Sequence, residues 1–176
     1  TDVRGCEKDK DRAWDENVSA TENLVNACLK FNKTSYFVYI STACVFKGDK
    51  GDYIETDKPY PDNFYSLTKL LGEFVINRLK NHLIIRTNFV PREKWRYERA
   101  FIDRFGTYLF TDDLAVAIKD VIEKRLTGIV HLAGEEKLSM FDLAKITTPN
   151  IEPMTLEEID LPLPKDCLLY TSPSPR

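Results

Sequence analysis

Tyr36-Phe37-Val38-Tyr39-Ile40 is a run of aromatic and β-branched residues closed by Thr34-Ser35 on one side and Ser41-Thr42 on the other. A run of this type without polar alternation suits a short strand covered on both faces. The flanks have helical period. Between residues 15 and 31, Val18, Thr21, Val25 and Cys28 fall on one stripe, with Leu24 and Leu29 beside it and charge opposite, so the spacing predicts a surface helix. After a Gly-, Asp- and Pro-rich loop from Lys47 to Asp62, a second helix is predicted over residues 63–80, with Asp62 or Asn63 as its N-cap. Leu83-Ile84-Ile85 opens another buried strand toward Phe89. Leu114, Ala115, Ile118, Val121 and Ile122 mark a helix over 112–124, and Ile129-Val130-His131-Leu132 after Gly128 a further strand. Ser139 with Asp142 predicts a capped short helix to Ile146, and Thr155 with Glu158 another. Helix and strand thus alternate three times, the pattern of βαβ units, and the predicted fold is α/β with a doubly wound parallel sheet.

Composition narrows the chemistry. The 176 residues are 43% hydrophobic and 30% charged, as in a single globular domain. A net charge of −3 offers no general attraction for nucleic acid or anionic lipid, so neither is expected as a partner. No apolar run approaches the roughly 20 residues of a membrane span, and Thr1 to Asp15 is charged rather than signal-like, which predicts a cytoplasmic protein. Cys6, Cys28, Cys44 and Cys167 have no paired spacing, and His82 and His131 lie far apart in sequence. No metal is expected, and the thiols read as small core hydrophobes in a reducing compartment. Arg92 to Arg104 interleaves arginines and a lysine with Trp95, Tyr97 and Phe101, a candidate binding surface, although any single arginine there also suits a solvated face. Leu168 to Arg176 has no periodicity and two Ser-Pro steps, and is predicted to be an unpacked tail, foreign to the gene.

Tyr65-Ser66-Leu67-Thr68-Lys69 sets a phenol and an ammonium one helical turn apart on the same face. A nearby cation favours phenolate, so Lys69 is expected to lower the Tyr65 pKa and make the phenol a usable proton donor or acceptor. Ser41-Thr42 stand at the carboxyl end of a buried strand, where open α/β sheets place ligand crevices, and a hydroxyl there can meet a substrate oxygen.

These pieces occur in a fixed order. Asn17-Val18 with Thr21 and Asn23-Leu24 is followed by Tyr39-Ile40-Ser41-Thr42-Ala43-Cys44-Val45-Phe46 with Gly48. Tyr53, Glu55, Asp57, Pro59 and Pro61 come next, then Tyr65, Lys69, Leu70, Leu71, Gly72 and Glu73, then Arg86-Thr87, Asp113-Leu114-Ala115 and Gly128 to Leu132. The set, spread over residues 1–160, resembles the extended short-chain dehydrogenase/reductases, in particular the dTDP-4-dehydrorhamnose reductase branch. The resemblance implies a Rossmann-like fold, with residues 1–90 in the NAD(P)-binding domain, 91–160 a substrate-binding portion with returning sheet elements, and 161–176 an unstructured tail. It implies NAD or NADP as cofactor, a nucleotide-sugar substrate and a homodimer. It makes Tyr65 the general acid, Lys69 the group that tunes Tyr65 and holds the nicotinamide ribose, Thr42 a donor to the reacting oxygen and Asn17 the holder of a relay water. Ser41 and Asn88 would approach the cofactor.

The departures carry expectations too. The family's opening strand and GxxGxxG turn have no counterpart, since Gly5 is the only glycine before Gly48. About two βα units, roughly 60 residues, are missing by this comparison. The chain is therefore expected to be a fragment that binds the dinucleotide weakly and is inactive alone. Ala43-Cys44 replace the branch's usual Asp-Tyr and Ser66 replaces a common Gly, which leaves sugar identity open; the family's dehydratases carry Asp-Glu after the Thr, so Ala43-Cys44 also argue against dehydration. A sugar-nucleotide epimerase and a non-catalytic regulatory subunit on the same fold are the alternatives.

Overall fold

The computed structural model describes residues 2–170. The chain opens with α1 (Val3–Lys8) and α2 (Lys10–Trp14), a π turn over Asp15–Ser19, and α3 (Ala20–Phe31). Helix therefore begins earlier than its apolar stripe. Asp2 and Asp9 start the two short helices by accepting from Gly5 N and Arg12 N, each at 3.0 Å. Of the predicted stripe, Val18, Thr21 and Val25 are buried, while Leu24 faces solvent.

Strand β1 (Phe37–Ile40) leads through a 3-10 turn at Ala43–Val45 to α4 (Phe64–Ile76). Asn63 is the cap of α4, its side chain accepting from Ser66 N at 2.9 Å. Then come β2 (His82–Thr87), β3 (Phe89–Val90), β4 (Arg99–Phe101), β5 (Phe105–Gly106), β6 (Leu109–Phe110) and α5 (Thr111–Glu123). The rest is β7 (Gly128–Leu132), β8 (Leu138–Ser139), α6 (Met140–Thr147), β9 (Glu152–Met154) and β10 (Asp166–Cys167). As predicted, Ser139 caps α6. Thr155 and Glu158 form their capping box, but it opens only a 3-10 turn at Leu156–Glu158. The chain turns extended at Ile159, and Pro162 and Pro164 follow closely, leaving no room for a helix.

The central sheet has the order β1-β2-β7 and is parallel throughout, with Phe37 opposite His82 and Leu83 opposite Gly128. The pleat of β2 divides the core. Ile84 packs with Val25, Tyr39, Ile76 and Leu79 beneath α3 and α4, whereas Leu83 and Ile85 pack with Leu114, Val121 and Leu132 beneath α5. Each such fully buried aliphatic contributes about 1.5–3 kcal/mol relative to exposure. Helices on both faces make this the doubly wound α/β arrangement that the alternation predicted.

Gly72 on α4 is where the Tyr39 side chain crosses the helix. A Cβ at Gly72 would collide with the Tyr39 hydroxyl, which donates to Lys69 O at 3.3 Å. Gly72→Ala is expected to cost about 1–3 kcal/mol through overpacking, read as a lower urea midpoint at unchanged slope. Adding Tyr39→Phe, which deletes the colliding oxygen, should recover part of that loss. A single Gly72→Ala variant as stable as the parent would contradict this packing.

The C-terminal end corrects an expectation. Asp166–Cys167 pairs in parallel with Phe105–Gly106, Leu169 bridges Tyr53, and Leu168 and Leu169 are each 3% exposed. Within the apolar run Cys167-Leu168-Leu169, Cys167 and Leu169 pack with Ala43, Cys44, Val45, Phe46 and Tyr53. Three residues are too few to show a period, so the burial left no pattern in the sequence. The rest of the expected tail, residues 171–176, lies outside the described residues.

Candidate active site

Strand β1 delivers Ser41 and Thr42 at its carboxyl end. Thr42 leaves the strand in extended backbone, and its hydroxyl accepts from Cys44 N at 3.2 Å, closing the turn that follows. Helix α4 brings Tyr65 toward this point from the other side. Tyr65 is 7% exposed and packs with Cys6 and Ala13 of the first two helices. Burial raises its pKa, Cys44 and Cys6 push the same way, and the facing Thr42 hydroxyl opposes them. Tyr65 thus stands close enough to Thr42 for that hydroxyl to act on its phenol, while the Thr42 oxygen itself accepts from Cys44 N.

Lys69 behaves differently from the expectation that it lowers the Tyr65 pKa. Its Nζ sits 4.1 Å from the centre of the Tyr39 ring, a cation–π contact. Burial pulls its own pKa down to about 8, with Glu73 opposing. The phenol is thus raised by burial rather than lowered by the amine, because the ammonium is turned to Tyr39 in this state. One ε-amine should titrate near 8 when the lysines are followed by NMR after reductive methylation, and Lys69→Arg should remove that signal. A set of lysines all titrating near 10 would contradict the burial of Lys69.

Asn17 lies in the π turn, a local irregularity frequent at functional sites. Its amide donates to Thr68 Oγ1 at 3.0 Å, and Thr68 donates to Tyr65 O at 2.8 Å. Asn17 thereby ties the first helical hairpin to the turn that carries Tyr65. Ser41 and Asn88, expected near the cofactor, make internal contacts instead. Ser41 Oγ donates to Glu73 Oε1 at 2.5 Å, and the Asn88 amide donates to Cys167 O at 2.7 Å. Both side chains are drawn inward by partners that sequence spacing does not reveal, a carboxylate two turns beyond Tyr65 and the packed C-terminal strand.

Glu73 also receives Arg86 in a two-pronged ion pair, Nε to Oε1 at 3.0 Å and Nη2 to Oε2 at 2.6 Å. Ser41, Glu73 and Arg86 are 4%, 3% and 2% exposed, so the pair is fully interior. The available signal was an arginine ending the apolar run Leu83-Ile84-Ile85, since a lone charge there needs a buried partner.

Register places His131 beside Arg86 on the neighbouring strand. His131 is buried against Phe46, its backbone N–H bonded to Glu55. Burial lowers its pKa, Glu55 opposes and Arg86 reinforces the shift. A folded pKa below the unfolded value of about 6.5 means that the unfolded chain takes up the proton first. His131 therefore contributes full stability above that pH and loses it as the pH falls toward the folded pKa. His131→Gln should flatten this part of the curve, seen as a smaller drop in urea midpoint between neutral pH and about pH 5 than in the parent. Equal drops in both proteins would contradict it.

Most arginines of the 92–104 segment have internal partners. Arg92 reaches Asp112 at 2.8 Å and Asp113 at 2.7 Å, Arg99 reaches Glu158 at 2.7 Å, and Arg104 donates to Pro164 O at 3.2 Å. Lys94 and Arg96, with Trp95 and Tyr97, instead line a cleft of about 270 Å³ closed by Thr148 and Asn150. Cys44 is more than core filling. It lies 3.6 Å from Cys167 and 3.7 Å from Arg104 Nη2, and its pKa is lowered, through Cys167 first and, against burial, through Arg104 and Thr42. Among the described residues no group of three or more His, Cys, Asp or Glu is placed to hold a metal, and no helix is long and apolar enough to cross a membrane.

A nicotinamide would be held by Thr42, Tyr65 and Lys69 if these residues act as the resemblance implies. Gly5, the one early glycine, cannot cradle phosphate, since Asp2 fills the space beside it and takes its N–H.

Comparison with known proteins agrees with the fold and the order of these elements. The chain resembles a hypothetical dTDP-4-dehydrorhamnose reductase from Sulfolobus tokodaii, with a TM-score of 0.81 and 34% identity over 96% of this chain and 67% of the other. It also resembles dTDP-4-dehydrorhamnose reductase from Bacillus anthracis in complex with NADP, with a TM-score of 0.84 and 26% identity over 98% of this chain and 69% of the other. A curated relative, methionine adenosyltransferase 2 subunit beta from Bos taurus, is 28% identical over 78% of this chain and 48% of its own length. The chain thus spans about half the length of the curated relatives of that name. Residues 1–105, from the first helices through α4 to β5, match the family model described as the RmlD substrate binding domain, and the chain belongs to that family.

Proposed function

We propose that the protein to which this chain belongs reduces a nucleotide-linked 4-keto sugar, with NAD or NADP as hydride source and Tyr65 as general acid. What supports this most is that Tyr65, buried on α4, stands close enough to Thr42 at the carboxyl end of β1 for the threonine hydroxyl to act on its phenol, with Lys69 one turn along the same helix. A bound nicotinamide supplies hydride to the carbonyl carbon. Charge then develops on the carbonyl oxygen, where Thr42 donates a hydrogen bond and Tyr65 donates the proton. Burial holds the phenol protonated, which suits the reductive direction, because an alkoxide is basic enough to take a proton from it. Lys69 holds the nicotinamide ribose, and Asn17 holds the Tyr65 turn in place. The test is turnover of dTDP-4-dehydrorhamnose by the whole protein with NADPH or NADH. Reduced sugar as product supports the reading, and inverted, unreduced sugar would replace it with an epimerase.

The isolated chain is proposed to lack the pyrophosphate half of the cofactor site. Its affinity for NADPH in titration should be weaker than micromolar, and micromolar binding would overturn this. A second reading is a non-catalytic subunit, favoured by the subunit beta relatives. Stoichiometric association with a partner enzyme and no turnover of any keto sugar would select it.

A further inference from the structure

We infer that Glu73 is a positioning residue, whose carboxylate, held between Ser41 and Arg86, fixes where Thr42 stands relative to the Tyr65–Lys69 face of α4. The inference rests on the reductase reading above and extends it to residues that touch neither substrate nor cofactor.

Tyr65, Lys69 and Glu73 follow one another at four-residue intervals, so they share a slowly drifting face of α4, with Glu73 roughly 12 Å along the axis from Tyr65. A helix is stiff over that length, and fixing Glu73 fixes the azimuth and height of Tyr65. The anchor has two arms. Ser41 Oγ reaches Glu73 Oε1 at 2.5 Å from the residue next to Thr42, and Arg86 grips both carboxylate oxygens from β2, at 3.0 and 2.6 Å. The arms are themselves joined, since Ser41 N donates to Ile85 O at 2.6 Å, one residue before Arg86. One carboxylate therefore couples the strand end carrying Thr42, the neighbouring strand and the helix carrying Tyr65. An apolar trio could fill the same volume, but it would permit α4 to slide or rotate on the sheet. A bidentate pair has one geometry. A displacement of about 1 Å between catalytic groups is enough to cost about 100-fold in rate.

Glu73 also acts on Lys69. The groups that act on that ammonium are the Tyr39 ring from β1 and Glu73 from its own helix, with Arg86 of β2 paired to Glu73. Glu73 is the group that opposes the effect of burial on Lys69 and favours its charged form.

The experiment compares the whole protein with its Ser41→Ala, Glu73→Gln and Tyr65→Phe variants in keto-sugar reduction, and follows the Lys69 amine by NMR. Ser41→Ala leaves the ion pair intact and is expected to fold. It should lower kcat about tenfold with KM for the sugar within about twofold, because binding groups are untouched while the Thr42–Tyr65 geometry loosens. Glu73→Gln should lower kcat further and shift the Lys69 titration downward. A purely structural role would lower the denaturation midpoint yet leave kcat, measured well below it, unchanged. Parent-like kcat in folded Ser41→Ala, beside an inactive Tyr65→Phe, overturns the inference and leaves the reductase reading standing. Full activity in Tyr65→Phe overturns the reading itself and the inference with it. If Glu73→Gln fails to fold, the kcat of Ser41→Ala decides alone.

Discussion

Tyr65→Phe in the whole protein is expected to lower kcat for 4-keto sugar reduction by about 10²–10⁴-fold, the range that a positioned general acid supplies. The substitution isolates chemistry from folding. Phenylalanine keeps the ring that packs against Cys6 and Ala13. The hydroxyl it removes faces Thr42, and the Thr42 oxygen keeps its bond from Cys44 N at 3.2 Å, so no buried polar group is stranded. The change in stability should stay below about 1 kcal/mol. The loss should fall on kcat and on kcat/KM alike, since the proton is transferred only as charge builds on the oxygen. Steady-state kinetics with circular dichroism on the same preparation checks it, and a folded variant with parental turnover would reject Tyr65 as the acid.

The largest expected effect on stability is at Arg86. Arg86→Met removes both bonds to Glu73 and leaves an uncompensated carboxylate 3% exposed, which costs about 3–5 kcal/mol. Ser41 remains as a donor to Glu73 and offsets little of a full charge. Pairing Arg86→Met with Glu73→Gln removes the stranded charge and should restore much of the loss, because a buried ion pair replaced as a unit is often near neutral. Urea denaturation of the two single variants and the double variant measures this coupling. A single Arg86→Met variant within about 1 kcal/mol of the parent would show that the pair carries little of the interior.

Those two residues also show how far the sequence could be read. The apolar run from Leu83 to Ile85 and its counterparts at Phe37–Ile40 and Ile129–Leu132 announce strands covered on both faces, and the structure pairs all three in one parallel sheet. Helix α4 and its Asn63 cap were legible for the same local reason, period and capping chemistry within a few residues. That Thr42 and Tyr65 lie close is legible only through the order of motifs, because no local pattern links two residues on different elements. The direction of the Tyr65 pKa is not legible, since spacing shows that Lys69 is one turn away but not that Tyr39 holds its ammonium. Ser41 and Asn88 likewise have inward partners that spacing does not show. Their partners, Glu73 and the Cys167 carbonyl, come from elements 32 and 79 residues away. Long-range pairing of this kind leaves no periodic trace, and neither does a three-residue apolar run such as Cys167–Leu169.

Whether Thr42, Tyr65 and Lys69 form a carbonyl-reducing site is decided most directly by isotope transfer. The whole protein is given dTDP-4-dehydrorhamnose and NADPH or NADH deuterated at the hydride-donating carbon, and the sugar product is read by mass spectrometry and NMR. Deuterium bound at carbon 4 of the reduced sugar, formed by the parent and absent with Tyr65→Phe, is the predicted result. Unreacted keto sugar with the parent protein, or equal labelling by the Tyr65→Phe variant, would contradict it.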